Sequence, residues 1–223
     1  MDQEMTRSSI SDLPSSPGFT RPSSRLSQQI EFILEVDKLK QILRQTVKTT
    51  DRQRENDAEH SWHLALMVIV LAEHANVPDL DILKVLSMVI VHDLVEIDAG
   101  DTFAYDEVGM LDKADREQKA ADRIFGLLPE DQEKHFRALW DEFEACITPE
   151  ARFAAALDRL QPVLLNVNTA GHAWKHHGIR LDQVLKRNQH IGDGSEALWT
   201  YARKIIQGAV DRGDLLPAKE EAD

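Results

Sequence analysis

The stretch Ser87–Thr102, SMVIVHDLVEIDAGDT, decides how this chain is read. Met88, Val89, Ile90 and Val91 form an apolar run that continues from Leu83 and Leu86, and the pattern predicts a buried helix. That helix ends on adjacent His92 and Asp93, and the acids Glu96, Asp98 and Asp101 follow. A carboxylate and an imidazole at such a place cost free energy unless something compensates them. A bound cation does so, because it favours a deprotonated carboxylate and a neutral imidazole. The reading therefore turns on whether the rest of the chain supplies more ligands.

Upstream, Asp57 is expected to cap a helix over Ala58–Ala75. It carries His60 in its first turn, where the helix dipole favours the neutral imidazole that binds metal, and His63 one turn later. The central stretch belongs to a helix over Leu80–Glu96, which Gly100 ends. Downstream, Thr148-Pro149-Glu150 starts an Ala- and Leu-rich helix holding Asp158, with a kink or break expected at Pro162. Any one of His60, His92, Asp93 and Asp158 reads most simply as a hydrogen-bonded core or capping residue. The four together read as a metal site, because such sites recruit clusters of this composition. His172 and His176 share the spacing of a metal pair, but no acid stands near them in sequence, and they read as solvated or structural. Trp140, Trp174 and Trp199 stand among apolar neighbours and read as core.

Other helices are expected over Leu26–Arg44, Asp112–Phe125, Glu130–Ala145, Leu181–Gln189 and Ser195–Arg212, with Gln45–Asn56 as a polar loop. Sustained period-two alternation is not seen, so the fold class is all-α. Residues 1–25, rich in Ser and Pro, are expected as a flexible tail, 26–213 as one domain and 214–223 as a C-terminal tail. A net charge of −13 disfavours a nucleic-acid polymer as partner, yet leaves room for a small phosphorylated ligand met by local arginines. Cys146 is the only cysteine, so no intrachain disulfide forms and a reducing compartment is expected. The acidic start MDQEM does not look like a secretion signal, and no apolar run is long enough for a bilayer. The expectation is a cytoplasmic protein without membrane contact.

His60, then His92-Asp93, then Asp158 resembles the HD-domain metal-dependent phosphohydrolase superfamily. LKQILR at Leu39–Arg44, RENDAEHSWH at Arg54–His63, the central stretch and ALDRL at Ala156–Leu160 look like its branch of 5′-deoxynucleotidases. The resemblance covers about 26–213. It implies a helical bundle around one divalent metal ion (Mn²⁺, Co²⁺, Mg²⁺, Fe²⁺ or Zn²⁺) and a homodimer. Two-metal members carry two further histidines between the dyad and the last Asp, whereas only His135 lies there, which implies a mononuclear site.

The resemblance assigns metal binding to His60, His92, Asp93 and Asp158, and places Glu96 and Asp101 beside the substrate and attacking water. Glu96 is four residues after His92 and three after Asp93, so it shares their helix face and suits a water-activating role. Asp101 suits either assistance to the water or protonation of the leaving alkoxide. Arg44 matches a phosphate-contacting arginine, a natural clamp for a phosphoryl group, with Arg52 and Arg54 as spare candidates. Gln45 stands where characterised deoxynucleotidases of the branch carry a tryptophan that helps exclude the ribose 2′-hydroxyl. The expected activity is metal-dependent hydrolysis of a small phosphomonoester, a (deoxy)nucleoside 5′-monophosphate above all. The alternatives are a catalytically silent nucleotide-binding HD module and a phosphatase for a non-nucleotide ester.

Overall fold

A computed structural model of the chain describes residues 24–106 and 108–219. The expected tail, 1–25, lies outside them except for Ser24 and Arg25. Ser24 caps helix α1 (Arg25–Val36), its Oγ accepting from the Ser27 amide at 3.2 Å. The helix expected to reach Arg44 stops earlier. After α1 the chain tightens into a 3₁₀ turn, Asp37–Gln41, and Ile42 is extended. Strand β1 (Leu43–Val47) then pairs antiparallel with β2 (Arg54–Asn56). The expected loop Gln45–Asn56 is thus a hairpin. β-branched Ile42, Thr46 and Val47 favour extended backbone, and a three-residue partner strand is too short to show a period. The Arg54 guanidinium pins the hairpin by donating to the carbonyls of Leu43 and Arg44.

Helix α2 (Asp57–Leu71) is capped by Asn56 rather than Asp57, in a capping box with Glu59. Asp57 becomes the first helical residue and is fully buried. Helix α3 (Ile82–Val91) ends at the dyad, where the backbone tightens into a 3₁₀ turn, His92–Val95, before the short α4 (Glu96–Ala99). Gly100, at φ 75°, ends the element. There follow α5 (Lys113–Phe125), α6 (Glu130–Ala145), α7 (Pro149–Asn168), α8 (His172–His176), α9 (Leu181–Asn188), α10 (Ile191–Gly194) and α11 (Glu196–Asp211).

Helix α7 is the axis of the bundle. Phe153, Leu157 and Leu160 are buried on it against α2, α3, α6, α10 and α11. It runs through Pro162 without a break, so of the expected kink or break the break does not occur. Proline removes one amide donor, but Asn166 Nδ2 donates to the Pro162 carbonyl at 3.0 Å and helps hold the following turn. A second apolar cluster joins Phe32 and Leu39 to Ile124, Phe125 and Trp140. Met88 and Val89 belong to the first cluster and Val91, Leu94 and Val95 to the second. The dyad therefore sits at the seam between the two cores. Packing also continues beyond Gly213: Leu215 is buried and Asp214 accepts from Lys175 and Arg212. Among the described residues no helix is long and apolar enough to cross a membrane.

Candidate metal centre

Three elements bring four side chains to one point. His60 comes from the first turn of α2, His92 and Asp93 from the 3₁₀ turn after α3, and Asp158 from the middle of α7. One ligand atom each from His60, His92 and Asp93 lie within 4.8 Å of one another. Asp158 Oδ1 is 3.0 Å from His60 Nε2 and 3.6 Å from His92 Nε2. Asp93 Oδ1 is 3.0 Å from His92 Nε2.

The donor set fits a divalent ion on its own chemistry. His92 Nδ1 donates to the Val89 carbonyl at 3.0 Å, which turns the Nε2 lone pair toward the cluster. That Nε2 is buried without a hydrogen-bond partner among the described residues. Burial alone would depress the His92 imidazole, but Asp93 and Asp158 carry it up to about 10. The site thus concentrates enough negative charge to hold a positive one. His60 is held below its ordinary value by burial and by Arg44, which favours the neutral imidazole that a metal requires. Burial would raise Asp93, yet His92 and Arg44 hold it well below the usual carboxylate range.

All seven residues singled out in the sequence lie in this region. Arg44 projects from β1, not from a helix end, and its Nη1 donates to Asp93 Oδ2 at 2.8 Å and Asp57 Oδ1 at 3.1 Å. Glu96 is 6% exposed and its Oε2 has no partner among the described residues. With three residues per turn the 3₁₀ segment stacks Glu96 over Asp93, and one oxygen each of Asp57, Asp93 and Glu96 lie within 4.8 Å of one another. Burial first, then Asp93, Asp57 and Asp101, push Glu96 well above its ordinary range. Asp101 is raised too, by burial and by Asp93, against the opposing pull of Arg44. A cavity of about 360 Å³ opens on the cluster, lined by Arg44, Gln45, His92, Asp93, Glu96, Asp101 and Asp158 with Phe103, Tyr105 and Trp174. The spare candidates are not brought in: Arg54 is spent on the hairpin, and Arg52 occupies its turn at φ 61°. His135, His172 and His176 are exposed, away from the cluster.

Sequence reasoning missed three supporting residues. Buried Glu55 places Oε2 3.7 Å from His60 Nδ1 and accepts from Gln161 Nε2 at 2.7 Å. Burial raises it to about 7 against the pull of Arg44. Gln161 in turn contacts His63 Nδ1 at 3.2 Å, so His63 joins the polar network behind His60. Asp57, raised to about 7 by burial and Asp93, faces Arg44 and Glu96. The available signal was register: Gln161 lies three residues beyond Asp158 on α7, and Glu55 and Asp57 flank the Asn56 cap.

The HD domain family matches residues 36–199. The chain is 30% identical to the 5′-deoxynucleotidase HDDC2 of Bos taurus over 151 residues, 67% of this chain and 71% of that protein. It is 30% identical to the Homo sapiens protein of the same name over 136 residues, 60% of this chain and 65% of that one. Among solved structures, one described as a predicted metal-dependent phosphohydrolase from Magnetospirillum magnetotacticum MS-1 superposes with a TM-score of 0.84 at 52% identity. It covers 89% of this chain and 100% of its own. A conserved hypothetical protein from Pyrococcus furiosus, at TM-score 0.56 and 22% identity over 82% of this chain and 99% of its own, shares the fold. Four converging candidate metal-binding side chains, an all-helical frame and a family match over most of the chain lead to one conclusion: this chain belongs to the HD domain family.

Proposed function

We propose that this metal-dependent phosphohydrolase cleaves nucleoside 5′-monophosphates to nucleoside and phosphate, with His60, His92, Asp93 and Asp158 as the ligands of one divalent ion. The observation that carries this reading is Glu96 Oε2, without a partner among the described residues and beside the candidate ligand cluster, in a cavity that Arg44 also lines. The names of the relatives at 30% identity support the substrate class. When bound, the ion supplies Lewis acidity and lowers the pKa of water in its shell. Glu96, with its raised proton affinity, takes the proton of the attacking water. The water oxygen bonds to phosphorus and the bond from phosphorus to the 5′ oxygen breaks. Asp101, also raised, supplies the proton that the departing alkoxide needs. Arg44 holds a phosphoryl oxygen, its orientation set by Asp57 and Asp93. Gln45 lines the cavity with an amide rather than an aromatic plane, and both ribo- and deoxyribonucleotides are admitted.

The reading extends to assembly and setting. Trp62, Leu66, Ile69 and Val70 form an exposed stripe on α2, and Leu83 and Ile90 stand exposed on adjacent α3. Trp62 is 68% exposed and Leu83 73%, so this face suits an isologous contact between two copies. A dimer by light scattering that Ile69→Glu converts to monomer is expected; monomeric wild type at micromolar concentration would remove this part. A lone, half-buried Cys146 suits a reducing cytoplasmic setting.

A phosphate-release screen over ribo- and deoxynucleotides and sugar phosphates, with each of Mn²⁺, Co²⁺, Mg²⁺, Fe²⁺ and Zn²⁺, tests the activity. Turnover should concentrate in the 5′-mononucleotides. Inertness toward every ester despite measurable nucleotide binding would favour a silent binding module. Turnover of sugar phosphates alone would move the substrate outside nucleotides.

A further inference from the structure

Two arginines in the cavity have no part in the chemistry above. Four long cations line it: Arg44, Lys113, Arg159 and Arg187. Arg44 has Asp93 at 2.8 Å, and Lys113 has Glu117 at 2.6 Å. Among the described residues neither Arg159 nor Arg187 is in ion-pair contact with a carboxylate, although the chain carries a net charge of −13. They stand side by side, with Arg159 Nη1 donating to the Arg187 carbonyl at 2.9 Å. Both are half-buried. The acid nearest in sequence, Asp158, is turned toward His60 at 3.0 Å.

Two like charges share a partly desolvated cavity wall, and burial followed by the charge of Arg159 depresses Arg187 below its ordinary value. Such a pair is unfavourable until an anion enters between them, where an arginine fork binds phosphoryl oxygens well. The position limits what the anion belongs to. Arg159 directly follows Asp158 on α7, and both arginines line the cavity that His92, Asp93 and Asp158 also line, so an anion held by them shares that cavity with one at the metal centre. Phe103, Tyr105 and Trp174 on the same cavity wall offer aromatic surface to a base.

We propose that Arg159 and Arg187 form a second anion subsite, and that the preferred substrate is a nucleoside bisphosphate. They hold its second phosphate while the 5′-phosphate lies at the His60, His92, Asp93 and Asp158 centre. This rests on the hydrolase reading above for the scissile phosphate only.

The test compares one nucleoside 5′-monophosphate with its 3′,5′- and 2′,5′-bisphosphates on the metal-loaded full chain. Two readouts are taken, kcat/KM for wild type and calorimetric affinity for the Glu96→Gln protein. One bisphosphate should exceed the monophosphate at least about tenfold in both, the size of one charge-assisted hydrogen bond. Arg187→Gln and, separately, Arg159→Gln should bring that ratio close to one, with thermal melts confirming that each variant is folded. Equal values for all three ligands in wild type would overturn the subsite whether or not the variants fold. A preference that persists in both folded variants would overturn it as well. Tight bisphosphate binding that is weakened by Arg187→Gln, with no turnover of any ligand, would keep the subsite and sink the hydrolase reading instead.

Discussion

Glu96→Gln separates the roles in this site, because it changes charge and proton affinity but hardly changes volume. Glu96 is 6% exposed and shares its corner with Asp57 and Asp93. If it takes the proton of the attacking water, the amide cannot replace it, and kcat should fall by about 10²-fold or more. That loss corresponds to about 2.7 kcal/mol of transition-state stabilisation. Stability should move the other way in the metal-free protein. A carboxyl whose folded pKa is raised binds its proton more tightly folded than unfolded, so it loses stability as pH rises from the unfolded value toward the folded one. Glutamine is spared that loss, and the variant should melt no lower than wild type at pH 8. Phosphate release, metal content by plasma spectrometry and a thermal melt are the three assays. A kcat within about threefold of wild type at full metal content would refute the proton-transfer role. Loss of the ion from Glu96→Gln would show that Glu96 is a ligand, and the four-ligand assignment would fall.

Asp93→Ala should remove the ion, since the three remaining ligands hold it poorly and Arg44 loses its nearest partner; stoichiometric metal in the purified variant would contradict this. Glu55→Gln should weaken metal affinity by roughly 10- to 100-fold through the orientation of His60, read by competition with a chelating dye, and an unchanged affinity would show that His60 is oriented without Glu55. Gly171→Ala should destabilise by at least about 2 kcal/mol, because a Cβ there would lie 1.8 Å from the Asp214 carbonyl oxygen at a backbone φ of +69°. Its melting temperature should fall by about 4–8 °C for a domain of this size, and a wild-type value would mean that the approach of Asp214 is not rigid.

By itself the amino-acid sequence determined the helical class, most helix positions and which histidines and aspartates gather into the candidate metal cluster. Those are local or compositional signals: apolar periodicity marks each helix, and a buried His-Asp pair implies a compensating charge wherever the chain places it. Helices such as α6 and α11 lie where their apolar spacing puts them. Tertiary structure alone decided the hairpin, the support behind the ligands and the company of Arg44. β1 is extended because β2 supplies its hydrogen bonds, a gain that a window of local sequence does not contain. Glu55 and Asp57 look like polar flanks of a helix start until the fold buries them against His60 and Arg44, which are separated from them in sequence but not in space. The Arg159–Arg187 contact joins α7 to α9 across 28 positions, and its meaning comes from the carboxylates that packing has placed elsewhere. Charge balance in a cavity is a property of three-dimensional neighbours, so it becomes legible only once the helices have docked.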